Sequence, residues 1–229
     1  MTFVLLSIDV GIKNLGICLL EVDNKRNIEK IIKWKNISLI DNTNEICNGK
    51  LKNGNNCKCI GKYKSNDKYY CSKHKDDDSK LEKKIKAGDI DIITLGRNIK
   101  YKLDELLEEE EIKIDYVVIE NQISTLASRM KTIQGMIIQY FILKNIKNID
   151  IISSQNKLKL LKEYENIENI KKTSYGDRKK MGINLTSKIL DTHEKLRGSK
   201  ELFIGKKKDD LADSFLQGLY YIKHTIKFN

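Results

Sequence analysis

A chain of 229 residues with a formal charge of +11, from 43 Lys and Arg against 32 Asp and Glu, is long enough for one domain with a sizeable core, or for a domain carrying a modest insertion. The positive excess predicts a surface that attracts polyanions, nucleic acid first among them, although a chain rich in Lys, Ile and Asn and devoid of Pro also has the composition of an AT-rich genome. No stretch approaches the roughly 18 apolar residues of a membrane helix, and the apolar start Phe3 to Ile8 meets Asp9 without a basic leader, so neither a membrane protein nor a secreted one is expected.

Phe3 to Ile8 is a nearly continuous aliphatic run, as befits a central strand covered on both faces. Gly11 and Gly16 bracket a tight turn into a second run, Ile17 to Val22, and Ile28 to Trp34 completes an antiparallel meander. From Asp41 to about Gly88 the composition turns to Asn, Lys, Gly, Asp and Cys, with too few large apolar residues for a core, so residues 42–88 are read as an insert. Helical spacing returns at Ile92, Leu95, Ile99, Leu103 and Leu106. Ile114 to Ile119 is a short buried strand delivering Glu120 at its end. A long helix is expected from Ser124 to Lys144, apolar over more than one stripe, with Met136, Ile137, Tyr140 and Phe141 seeking a partner in a second copy or under the last helix. Ile149 to Ile152 is a fifth strand, and helices are predicted over Asn156 to Tyr164, Asp177 to Leu196 and Lys208 to Lys223. This order gives an α/β domain, a mixed five-stranded sheet with helices on its faces.

Acidic residues fall at element ends: Asp9 closes the first strand, Glu120 the fourth, and Asp210 and Asp213, three apart, share one face at the start of the last helix. Carboxylates gathered at buried strand ends repel one another unless cations sit between them, and phosphodiester hydrolysis by two metals needs such an oxygen cage, with ions roughly 4 Å apart. Asp209 suits the helix N-cap. The insert holds Cys47, Cys57, Cys59, Cys71 and His74; its Cys71-x-x-His74 ending lets both side chains reach one tetrahedral zinc, with Cys47 and either Cys57 or Cys59 completing the set. Clustered thiols of this kind belong to a reducing, intracellular compartment. A metal clip suits a segment too polar to fold by burial. Cys18, in the second strand, reads as a buried small residue.

Three segments together carry a family resemblance: Ile8-Asp9-Val10-Gly11-Ile12-Lys13-Asn14-Leu15-Gly16, Val118-Ile119-Glu120-Asn121-Gln122, and Lys208-Asp209-Asp210-Leu211-Ala212-Asp213-Ser214. This series resembles RuvC-type Holliday-junction resolvases, and Met130-Lys131-Thr132-Ile133-Gln134 with Phe141 is similar to their viral branch, found in poxviruses and other large DNA viruses. The resemblance implies a ribonuclease-H-like fold; two Mg²⁺ or Mn²⁺ ions on Asp9, Glu120, Asp210 and Asp213; four-way junction DNA as substrate; a homodimer; and, for a virus, action at its replication site. It also implies a basic residue early in the penultimate helix. There Lys179 and Lys180 compete, and Lys180 is preferred because Ile183 and Leu185 then turn toward the core. Such a lysine would bind the scissile phosphate. Lys157, Lys159, Lys179, Lys206, Lys207 and Lys208 are the expected phosphate contacts, and Cys47, Cys57, Cys71 and His74 the expected ligands of one structural zinc. The competing readings are a ribonuclease H or another structure-selective nuclease, which use a similar cage; an inactive zinc-containing DNA-binding protein; and a transposon-derived relative, for which the chain lacks an added recognition domain.

Overall fold

The computed structural model describes residues 2–40, 45–82, 86–108, 112–122, 128–165, 174–205 and 207–226. The chain divides into two compact units, Met1–Leu39 with Ile92–Asn229, and Ile40–Asp91.

In the larger unit β1 (Thr2–Asp9), β2 (Leu15–Asp23) and β3 (Ile28–Ile37) form the meander, and β7 (Tyr116–Glu120) and β8 (Asn148–Ile152) extend it in the order β3-β2-β1-β7-β8. The meander is antiparallel; β1, β7 and β8 run parallel to one another, so their C-terminal ends finish at one edge. Both faces of β1 are apolar, as a strand covered twice must be. Leu5 and Ser7 face the side of α5 (Lys208–His224), where Phe215, Leu211 and Ile222 are buried with Leu20 and Val118. Leu6, Ile8, Ile17, Leu19, Val117 and Ile119 are fully buried on the other face, the side of α1 (Ile92–Glu108) and α2 (Ser128–Leu143). Each such aliphatic side chain contributes about 2 kcal/mol by leaving water. Gly218 lets α5 lie against the sheet, because a Cβ there would come within 3.0 Å of Leu20 and 3.1 Å of Ser7.

Two expectations need correction. The helix foreseen over 177–196 is α4 (Tyr175–Thr192), and His193 then turns extended before a 3-10 helix (Glu194–Glu201). This turn brings Leu196 and Phe203 into the core, with Phe203 stacked on Trp34 at 4.9 Å between centroids. The apolar excess of α2 needs neither a second copy nor the last helix: Ile137, Tyr140 and Phe141 are buried, Met136 lies beside Gly96 of α1, and the Tyr140 hydroxyl donates to Asp104 of α1 at 2.8 Å. The start of the expected helix, before Ser128, lies outside the described residues. Between α2 and α4, α3 (Gln155–Glu165) follows β8.

The smaller unit carries a three-stranded sheet, β5-β4-β6, from β4 (Tyr63–Ser65), β5 (Lys68–Tyr70) and β6 (Lys80–Leu81). Its buried cluster is Cys47, Cys57 and Cys71 with Tyr70 packed against them, thiols where larger domains have aliphatic side chains. Among the described residues no helix is long and apolar enough to cross a membrane.

Candidate active site and metal centres

The acids converge because the strands carrying them are parallel neighbours in register. Ile8 pairs with Ile119, and one residue further Asp9 and Glu120 emerge side by side. By strand alternation Asp9 follows Leu5 and Ser7 to the α5 face, and Glu120 follows Val118. Gln217 of α5 fastens the junction beneath them, its amide donating to the Ile8 carbonyl at 3.0 Å and the Val118 carbonyl at 3.3 Å. Gly16 admits the start of α5, since a Cβ there would sit 2.7 Å from the Asp210 carbonyl oxygen and 3.3 Å from Asp9 Cβ.

The result is a cleft of about 760 Å³ lined by Asp9, Glu120, Asp210, Asp213 and Lys157, with Tyr175, Arg178 and Lys179 along one wall. Burial, then the adjoining Glu120 carboxylate, pushes the Asp9 carboxyl well above its ordinary range. Burial opposes ionisation of Glu120 too, but the neighbouring Asp9 carboxyl and the Lys157 ammonium outweigh it and lower that group. Burial also raises Asp210 and Asp213. Lys157, expected as a phosphate contact, instead lies within this group, its ammonium 3.1 Å from Glu120 Oε1 and 3.1 Å from Asp213 Oδ2. Burial alone would lower it, but the charges of Asp213, Asp9 and Glu120 outweigh burial and raise it.

Lys157 bridges two of the four carboxylates, Glu120 and Asp213. Asp210 Oδ2 is buried with no hydrogen-bond partner among the described residues. A buried oxygen without a donor beside surplus negative charge fits hard divalent cations with all-oxygen ligation.

The amides that hold Glu120 come from residues that the sequence motifs contain without assigning them a role. Gln122 donates to Glu120 Oε2 at 3.1 Å, and Gln134 of α2 donates to its carbonyl at 3.1 Å. In α4 the cleft stripe is Tyr175, Arg178, Lys179 and Gly182, at helical spacing. Lys179 therefore lines the cleft, its ammonium on the Asp209 carboxylate and 5.0 Å from the Tyr175 ring centre, whereas Lys180 is exposed outside it. Asp209 is not the N-cap: Lys207 is, without a side-chain cap bond, and Asp209 is spent on Lys179. Lys159 donates to the Tyr220 hydroxyl at 3.2 Å, Lys208 lies 5.3 Å from the Phe203 ring centre, and Lys207 is exposed. None of these three lines the cleft, and Lys206 lies outside the described residues. The signal that could have found Tyr175 and Arg178 was the spacing to Lys179.

In the smaller unit one ligand atom each of Cys47, Cys57, Cys71 and His74 lies within 4.8 Å of the others. His74 Nδ1 is 3.4 Å from the sulfurs of Cys47 and Cys71, and the backbone N–H groups of Gly49 and Cys71 donate to Cys47 Sγ at 3.3 Å each. Gly49 is required there, because a Cβ would press 2.4 Å from the His74 ring. Cys59 is exposed and is not one of these four, and its carbonyl accepts from the Cys47 N–H at 2.8 Å. Three sulfurs and one imidazole around a common point fit tetrahedral zinc, and the N–H donors favour thiolate.

No family model matches the chain. An uncharacterized protein, L451 of Acanthamoeba polyphaga mimivirus, is 34% identical over 217 residues, 82% of this chain and 50% of the relative, so the chain spans half that relative's length. Among solved structures, the fowlpox virus Holliday junction resolvase matches with a TM-score of 0.53 at 17% identity, covering 98% of this chain and 100% of its own. The yeast mitochondrial Holliday junction resolvase Ydc2 matches at 0.52 and 14%, covering 96% and 78%, and T. thermophilus RuvC in complex with a Holliday junction substrate at 0.50 and 11%, covering 96% and 92%. The resemblance read from the three motifs therefore holds at the level of the fold: the larger unit has the ribonuclease-H-like architecture of RuvC-type resolvases, viral ones among them.

Proposed function

We propose that the chain is a metal-dependent endonuclease that resolves four-way DNA junctions by paired, symmetric nicks. The observation that carries this reading is the cleft itself: Asp9 and Glu120 at the C-terminal ends of parallel strands and Asp210 and Asp213 at the start of α5 line one space, with the Lys157 ammonium bonded to Glu120 and Asp213. A fold shared with proteins described as Holliday junction resolvases supports the choice of substrate.

Two Mg²⁺ or Mn²⁺ ions, when bound, would supply an activated water and neutralise the leaving 3′ oxygen. The four carboxylates would hold them, Gln122 and Gln134 fix Glu120 in place, and the buried floor limits access of bulk water. Lys179 and Arg178, on the wall, are positioned to accept a phosphate, with Lys179 held by Asp209 until DNA offers a competing anion. Lys157 restrains the carboxylates from repelling one another before metal enters. The Cys47, Cys57, Cys71 and His74 cluster would hold one structural zinc, in a compartment reducing enough to keep thiols free. Two equivalent nicks in a two-fold junction call for a two-fold protein, and Ile142 and Leu143, the exposed large apolar residues of α2, remain for such an interface.

The test is cleavage of labelled four-way junction, duplex, flap and RNA–DNA hybrid with and without magnesium. Symmetric nicks confined to the junction and dependent on metal support the reading. Preference for the hybrid would make the protein a ribonuclease H, and binding without cleavage of any substrate would make it an inactive DNA-binding protein.

A further inference from the structure

The smaller unit has a feature that structural zinc leaves unexplained. The unit as a whole carries 12 lysines and 9 acids, but the two signs are segregated: Glu45 to Lys75 holds eight of the lysines and two of the acids, while Asp76, Asp77, Asp78 and Glu82 follow the ligand His74. Three thiolates and an imidazole on Zn²⁺ carry a formal charge of −1, which leaves the stretch from Glu45 to Lys75 positive. Asp67 is taken by Lys64 at 3.3 Å. Lys50, Lys52, Lys58, Lys62, Lys68 and Lys73 are all exposed. Hairpins with so small a core are a poor place to concentrate like charge unless the charge has a use.

The backbone presents these lysines on two short hairpins stapled by the four ligands. The first runs from the Ile46–Ile60 bridge through the Lys50–Asn56 bridge to a turn closed by Gly54, at φ +81°, where glycine suits the left-handed conformation. Lys52 sits on that turn, and Lys58 lies between the ligand Cys57 and the exposed Cys59. The second hairpin pairs β4 with β5 across Asn66 and Asp67, with Lys62 before it and Lys68 directly after the turn. Aromatic rings steady two more ammoniums: Lys75 lies 5.0 Å from the Tyr63 ring centre and Lys64 5.6 Å from that of Tyr69. Ammonium groups on metal-clamped hairpins lose little backbone freedom on binding a polyanion, so phosphate contacts made there are efficient.

We propose that the zinc-clamped unit is a second nucleic-acid contact, gripping the phosphate backbone of double-stranded DNA through its hairpin lysines without reading sequence. Duplex DNA is chosen over an acidic protein because the acceptors required are regularly spaced phosphates and the larger unit carries a candidate phosphodiester cleft. The choice of DNA, and nothing else in the proposal, rests on the nuclease reading.

The test is DNA binding by the full chain, metal-free at the cleft, across a range of salt. A variant carrying K52E, K58E, K62E and K68E is compared with one carrying K25E, K30E, K147E and K162E, four exposed lysines of the larger unit. Zinc content and thermal unfolding verify that both variants are folded. Each backbone contact contributes about 0.9 to the slope of log affinity against log salt, so the hairpin variant should lose about 3.6 from that slope and bind both plain duplex and four-way junction about tenfold or more weakly at 100 mM salt. The control should change far less. Equal affinity and slope for the hairpin variant and the unaltered protein would overturn the proposal, as would an equal loss in the control. Junction cleavage by the unaltered protein is scored separately: its absence would overturn the nuclease reading while leaving the binding result to stand.

Discussion

Individual side chains decide what the cleft can do. Glu120→Gln and Asp210→Asn each remove a ligand charge while keeping the shape, so single-turnover junction cleavage should fall by about a thousandfold or more. Junction affinity measured in chelator should stay within about threefold, because affinity comes mainly from lysine–phosphate contacts. Full cleavage by Glu120→Gln would end the metal-cage account. Lys157 allows a sharper test. Lys157→Met leaves buried carboxylates without their internal cation, which should cost about 3 kcal/mol in the metal-free protein. Added magnesium should then raise the melting temperature of this variant more than that of the unaltered protein, since the ion replaces the missing ammonium. Equal magnesium shifts in thermal unfolding would show that Lys157 and metal do not compete for the same carboxylates.

At the scale of elements, the α1–α2 pair turns on one acid. Asp104 accepts from Lys100 at 2.6 Å, from Lys144 at 2.8 Å and from the Tyr140 hydroxyl at 2.8 Å, and the two ammoniums hold its carboxyl well below the usual carboxylate range. A depressed carboxyl stabilises the fold above the unfolded value, near 3.9, and that contribution disappears as pH falls through the folded value. Asp104→Ala should therefore lower stability at pH 7 by about 1–2 kcal/mol, the lysines being partly in water. The difference between the two proteins should shrink on acidification below pH 4, as read by urea unfolding at both pH values. A difference unchanged at low pH would assign the loss to packing alone. The helix break at His193 is of the same scale. The apolar pattern of 177–196 suits one continuous helix, whereas in the fold the chain turns at His193, Leu196 is buried and Phe203 stacks on Trp34.

For the whole molecule, the two units depend on different sources of stability. The larger one has two apolar layers over a sheet; the smaller has three thiols, an imidazole and one packed tyrosine. Purified protein should contain about one zinc per chain by elemental analysis. Chelation should open residues 40–91 to hydrogen exchange while amides of β1, β2 and β7 stay protected, because the metal supplies folding energy only where the core is missing. Cys57→Ser should lose zinc and Cys59→Ser keep it; the reverse would move the ligand to Cys59. Light scattering should report about twice the chain mass of 26.5 kDa, and a cruciform plasmid should be linearised by paired nicks. A monomer leaving singly nicked circles would refute paired resolution.

The sequence by itself determined the layering and the stations of the acids. A strand apolar on both faces, such as Leu5 to Ile8, has to be central, and a carboxylate straight after it has to emerge at the sheet edge. The close Cys71–His74 pair is equally local in origin. What only the tertiary structure decided are matters of rotation and distance between elements remote in sequence. Which of Lys179 and Lys180 faces the cleft depends on how α4 is turned about its axis on α5, and a shift of one residue, about 100°, reverses the answer. Lys157 sits between Glu120 and Asp213, 37 and 56 positions away, because α3 returns beside α5 after β8, and no local pattern distinguishes a lysine buried among carboxylates from one in water. Propensity and periodicity are properties of neighbours along the chain, whereas the charge that a lysine meets is set by which strands and helices the fold has laid beside it.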